Sequence, residues 1–152
     1  MNVKKILIPT DFSPFSERLI DYVKDFFGAG LPKIEILHVL MKEPPILTIR
    51  SLDLTEEKVK QSILSEAEEQ MDEFIKKVSD RIGCESCKNI RQGVEYQEII
   101  SFAEENEIDL IVIATHGRTG LLHTLIGSVT EKVVRYSRVP VLVVNSEFLL
   151  KK

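Results

Sequence analysis

A chain of 152 residues with a formal charge of −4, 43% hydrophobic and 29% charged, has the balance of one folded domain. That balance excludes a disordered chain, and no apolar run approaches the roughly 20 residues that crossing a bilayer as a helix requires. The acidic charge also excludes a general nucleic-acid binder, whose affinity comes largely from neutralising phosphates with Lys and Arg.

Met1 to Ile6 leads directly into an apolar run that stops at Pro9, so no secretory leader is expected and the reading places the chain in the cytoplasm. Lys4 to Pro9 is a predicted first strand. Pro9-Thr-Asp-Phe-Ser-Pro14 turns out of it. Ser13 is suited to cap the next helix, with Pro14 at the first helical position, where a missing N–H does no harm. Leu19, Ile20, Val23, Phe26 and Phe27 recur at helical spacing, and Gly28 and Gly30 end that helix.

Lys33 to Leu40 reads as a second strand, with His38 inside it as an ordinary sheet histidine. Met41 to Asp53 is irregular, and Pro44-Pro45 forbids both helix and ladder pairing there. A long helix is predicted from Thr55, which caps it, with Glu56 and Glu57 in its first turn. Val59, Ile63, Ala67, Met71, Ile75, Val78 and Ile82 make its core-facing stripe. Lys88 to Gln92 reads as a weak third strand. Tyr96 to Asn106 reads as a helix with Ile99, Ile100 and Ala103 turned inward.

Two cysteines, Cys84 and Cys87, form a C-x-x-C that follows the long helix and Gly83. A redox pair of this spacing belongs at a helix N-terminus, where the thiol pKa is lowered, and this one lies at the wrong end. A zinc site needs two more ligands, and no second C-x-x-C or His pair is present. The reading is reduced thiols in a helix–strand connection.

The stretch from Asp109 to Val129 organises the chain. Leu110 to Ala114 is a continuous apolar run, the pattern of a strand buried on both faces. Gly117, Gly120 and Gly127 follow. Ser128-Val-Thr-Glu131 fits a capping box, which puts a helix start there and an end near Ser137. Strand, glycine-bearing loop and helix N-terminus together make the geometry of a phosphate cradle, because glycine permits close backbone approach and the helix end offers N–H donors. The spacing is neither a P-loop nor G-x-G-x-x-G, and turn chemistry is the alternative. Arg118, Lys132, Arg135 and Arg138 against Asp109 and Glu131 leave this region mildly positive, which suits a phosphate. For the three helical cations the alternative is a solvated face. Val139 to Val144 is a fifth strand beginning near Pro140, and Phe148 to Lys152 reads as a tail.

Five strands alternating with four helices imply an α/β fold: an open parallel sheet with helices on both faces. Two segments, Ile6-Leu-Ile-Pro-Thr-Asp-Phe-Ser13 and Ile111 to Val144, resemble the nucleotide-binding branch of the universal stress protein family. That branch carries Gly, two residues, Gly, nine residues, then Gly-Ser or Gly-Thr. Here the second glycine is Gly117, nine residues separate it from Gly127-Ser128, and Ala114 stands at the first glycine position. The resemblance spans essentially the whole chain, so residues 1–152 are read as a single such domain.

The resemblance implies a Rossmann-like sheet of order 3-2-1-4-5, with a ligand held where the order reverses. It implies that Pro9, Thr10 and Asp11 hold the adenosine end, that Val39 packs on the base, and that Gly117, Gly127, Ser128, Val129 and Thr130 contact phosphate. Ala114, His116 and Arg118 lie beside those positions, and the Arg118 fork can neutralise phosphate charge. The implied ligand is ATP, with Mg²⁺ as its usual companion, or AMP. The implied function is stress-response regulation rather than catalysis, and no catalytic residue is assigned. A nucleotide-free dimeric interaction module and a slow ATPase are the alternatives. The implied assembly is a homodimer joined through Val141 to Val144.

Overall fold

Ile6, Leu7 and Ile8 have no exposed surface at all, as expected of a strand covered on both faces. In the computed structural model of the chain, which describes residues 3–41, 55–83, 86–115 and 126–150, these residues form β1 (Lys5–Pro9) at the centre of a parallel sheet. The other strands are β2 (Lys33–Leu40), β3 (Ser86–Gln92), β4 (Leu110–Ala114) and β5 (Val141–Val144), and the order is β3-β2-β1-β4-β5. This is the Rossmann-like order that the resemblance implied. Register follows the apolar runs: Ile6 pairs with Ile34 on one side and with Leu110 on the other, and Ala114 pairs with Val144.

Helices α1 (Pro14–Phe27), α2 (Glu56–Ile82), α3 (Glu95–Glu105), α4 (Ser128–Tyr136) and α5 (Ser146–Leu150) connect or follow the strands. One face of the sheet packs Ile6, Ile8, Leu19, Val23, Met71, Phe74 and Val78 into a core. The other packs Leu7, Leu37, Ile99, Phe102, Ala103 and Val133. The two cores cover both faces, which explains why the central strands lack a polar side.

The helix starts on this first face follow the predicted chemistry. Ser13 Oγ accepts from Ser16 N at 3.4 Å, with Pro14 opening α1. Thr55 Oγ1 accepts from Lys58 N at the head of α2, and Gly83 closes α2 with φ +69°.

Several boundaries and faces differ from the sequence reading. Phe26 is 57% exposed, because α1 turns only its Leu19–Ile20–Val23 side to the sheet. Phe74, which falls outside the heptad-like stripe of α2, is buried, and so is Phe102 on α3, while Ile100 is only half-buried. Strand β3 starts at Ser86, so Cys87 lies within it opposite Glu35 rather than in a connection, as a free thiol. Strand β5 starts at Val141, not Val139. Ser137 Oγ donates to Val139 O at 2.8 Å and accepts from Val139 N at 3.1 Å, which removes both backbone groups of Val139 from any ladder. The stretch read as a tail overlaps α5, which starts two residues earlier and is opened by Asn145 Oδ1 accepting from Glu147 N, with Leu149 buried. The described residues therefore hold five α-helices, not four. Cys84 and, beyond Met41, the irregular stretch to Asp53 lie outside the described residues. No helix among the described residues is long and apolar enough to cross a membrane.

Candidate functional site

The strand order reverses between β1 and β4, so the connections leaving their carboxyl ends diverge and leave a crevice. The crevice has a volume of about 360 Å³, within the range of small-ligand sites. Pro9, Thr10 and Asp11 form one wall, Ala114, Thr115 and Gly127 to Thr130 the facing wall, and Leu37, His38 and Val39 the side toward β2. Nine of the predicted site residues thus meet in one place: Pro9, Thr10, Asp11, Val39, Ala114, Gly127, Ser128, Val129 and Thr130. His116, Gly117 and Arg118 lie outside the described residues. Ser16, His38 and Glu95 also line the crevice. Spacing along the chain gave no sign of them, because crossover connections bring them there.

The β1 turn is held from several directions. Thr10 N donates to Leu37 O at 2.8 Å, and His38 Nδ1 lies 2.8 Å from Thr10 O. Thr10 Oγ1 accepts from Phe12 N at 3.0 Å. Asp11 Oδ1 accepts from Ser13 N at 3.0 Å and from Ser16 Oγ at 2.9 Å. The aspartate therefore both closes its own turn and presents a carboxylate at the crevice wall. Phe12 takes φ +61°, a left-handed backbone that is uncommon for a bulky residue.

On the facing wall, Gly127 N donates to Thr115 O at 2.7 Å. A Cβ on Gly127 would sit 2.9 Å from that same carbonyl oxygen. Gly127 has φ −64°, so glycine is required here by closeness and not by handedness. Ala114 is an ordinary strand residue with no positive φ. Its methyl group therefore carries no backbone strain at the position where the family pattern has glycine.

The capping-box reading of Ser128 is corrected. The N-cap of α4 is Gly127, Ser128 is the first helical residue, and no side chain among the described residues caps the helix. The first turn closes with Glu131 N to Gly127 O at 2.9 Å, which leaves the N–H groups of Ser128, Val129 and Thr130 without intrahelical partners. The Thr130 hydroxyl donates to Ala114 O at 2.8 Å, so its O–H ties α4 to β4.

The positive patch is weaker than composition suggests. Arg135 pairs with Glu131 on the outer face of α4, and Lys132 Nζ stands 5.1 Å over the Tyr96 ring. Those two cations serve a solvated helix face. The anion-attracting element of the described site is the N-terminus of α4.

The comparisons with known proteins agree with this architecture. Residues 2–145 match the model of the universal stress protein family. The universal stress protein MJ0577 of Methanocaldococcus jannaschii is 35% identical, the alignment covering 93% of this chain and 94% of that protein. The structure of MJ0577 overlays with a TM-score of 0.78 over 95% of this chain and 97% of that one. Two more distant structures share the fold. A universal stress protein in complex with cAMP is 20% identical, with a TM-score of 0.65 over 96% of this chain and 99% of that one. The Archaeoglobus fulgidus protein in complex with dAMP is 18% identical, with a TM-score of 0.64 over 94% and 98%.

Proposed function

The chain belongs to the universal stress protein family, and on that premise we propose that it is a regulatory protein that binds an adenine nucleotide between the β1 turn and the N-terminus of α4. The observation that carries this reading is the first turn of α4, which no side chain among the described residues caps. Ser128, Val129 and Thr130, whose N–H groups have no intrahelical partner, line the same 360 Å³ crevice as Asp11. An uncapped helix end suits phosphate, through its donors and its dipole. A carboxylate suits ribose hydroxyls or an exocyclic amine, because when ionised it only accepts. The apolar surface of Leu37, Val39 and Ile99 suits a base. The cAMP and dAMP complexes of distant relatives support the same ligand class.

Binding energy in this reading comes from burying the base and from backbone contacts to phosphate. Gly117 and Arg118, together with His116, stand in sequence between β4 and α4, and in this reading they add close approach and charge. ATP and AMP share the adenosine and first phosphate that these groups hold. Among the described residues no group of three or more His, Cys, Asp or Glu side chains is placed to hold a metal ion. In this reading Mg²⁺, where it accompanies ATP, arrives on the oxygens of the triphosphate. The reading is one of binding and signalling in the cytoplasm, not of turnover.

Two copies join through β5 in this reading. Among the described strands it is at the sheet edge, paired with β4 alone, and an unpaired edge invites a partner strand. The test of the binding reading is titration of the purified chain with AMP and ATP. Saturable binding supports it, and absence of binding by both removes it.

A further inference from the structure

Thr10 is tied to β2 twice, by its own N–H to Leu37 O and by its carbonyl to His38 Nδ1, both at 2.8 Å. A carbonyl oxygen accepts only, so Nδ1 must carry the proton. That fixes the tautomer of His38, since a ring nitrogen's role is set by its partner. The His38 ring also packs on Phe12, with centroids 4.3 Å apart, and Phe12 meets Phe74 of α2 edge-on at 6.0 Å. Phe12 is the residue at φ +61°. A conformation of that kind costs of order 1–3 kcal/mol and persists only where surrounding contacts hold it. His38 supplies two of those contacts, one to the backbone before Asp11 and one to the side chain after it.

We propose that His38 is a positioning residue for the ligand: it locks the Thr10–Phe12 turn so that the Asp11 carboxylate is already aimed at the nucleoside before binding. The inference rests on the binding reading given above. Its energetic content is preorganisation, because a turn held in its bound shape loses less entropy when the ligand arrives. His38 lies on the side of the crevice away from α4, so it acts on the nucleoside half of the ligand and not on the phosphate. His38→Phe keeps a ring against Phe12 and removes the donor. His38→Asn removes the ring and retains an amide N–H that can reach Thr10 O.

The test is titration of the parent chain, His38→Phe and His38→Asn with adenosine and with AMP. Loss of one half-buried hydrogen bond and of the order it imposes should weaken binding about tenfold. The expected result is that His38→Phe weakens adenosine and AMP by the same factor, and that His38→Asn recovers most of the loss. A role in folding alone would lower the melting temperature and leave the affinity of the folded protein unchanged. Adenosine affinity of His38→Phe within about twofold of the parent, or a loss that Asn does not repair, would overturn the proposal. A parent chain that binds neither compound overturns this inference together with the binding reading, whereas a parent that binds and a variant that binds equally overturns the inference alone. Nitrogen NMR of the ring keeps the proposal testable even if a variant does not fold. The parent should show a proton on Nδ1 of neutral His38, and a proton on Nε2 alone would overturn it.

Discussion

The carbonyl oxygen of Thr115 accepts the Gly127 N–H at 2.7 Å and stands 2.9 Å from where a side chain on Gly127 would begin. This contact fixes how close the head of α4 comes to the end of β4, and hence where three helix N–H groups point. Gly127→Ala must push α4 away from a backbone atom that has no rotamer to yield. Overpacking of this kind costs about 1–3 kcal/mol, so the melting temperature should fall. The binding reading adds a sharper expectation. AMP should lose affinity relative to adenosine, because the displaced N–H groups serve the phosphate. Calorimetric titration with both ligands checks this, and equal losses for the two would place the phosphate elsewhere.

The sheet edge makes a separate prediction. Pro140 and Val144 direct their carbonyls at β4, to Ile111 N and Thr115 N. Alternation along the strand then turns the N–H groups of Val141 and Val143 outward. Val143→Pro removes an outward donor while leaving the β4 ladder its partners. Light scattering should find the parent dimeric at micromolar concentration and Val143→Pro monomeric. A monomeric parent would remove the dimer from the account.

Acid should weaken the fold through identifiable carboxylates. Backbone N–H groups of Lys4 and Lys5 donate to Asp109 Oδ2 at 2.8 and 2.9 Å and hold its pKa below the ordinary aspartate value. The Lys77 ammonium first, with Arg81, does the same for Glu17, and Arg91 does it for Glu105. A carboxylate with a lowered folded pKa contributes stability that is complete above its unfolded pKa and is lost as pH falls through the folded one. Urea midpoints should therefore hold above about pH 5 and drop below about pH 4, the range of unperturbed carboxylates. Asp109→Asn should flatten part of that drop. An unchanged slope in the variant would assign the acid sensitivity to other groups.

Met71 has no exposed surface and sits in the core between α2 and the sheet. Met71→Ala should cost about 2–5 kcal/mol, the range for emptying such a site. Chemical denaturation measures it. A cost under 1 kcal/mol would mean that α2 docks loosely.

These elements also show what the chain alone discloses. Strands β1, β2 and β4 were legible because a strand buried on both faces cannot hide its apolar run, and Ser13-Pro14 was legible because capping is local. The Ser128 box misled for the opposite reason. Its hydroxyl has the right spacing, but the tertiary contact of Gly127 with Thr115 moves the cap one residue back. The bond from the Thr130 hydroxyl to Ala114 O is likewise visible only in the fold, since sixteen positions separate the two residues. Helix α5 escaped notice because five residues carry too little periodicity, and its start depends on the Asn145 side chain. His38 looked like any sheet histidine, and it is hydrogen-bonded as one would be. Its place beside the crevice depends on the pairing of β2 with β1.

The most direct test of the account is to purify the chain without added nucleotide, denature it, identify any small molecule released, and titrate the emptied protein with AMP and ATP. The account predicts an adenine nucleotide in the released fraction, or saturable binding tighter than about 1 mM, the weak end of specific recognition. No released nucleotide and flat titrations with both ligands would contradict it, and the chain would then be a nucleotide-free interaction module built on the same sheet.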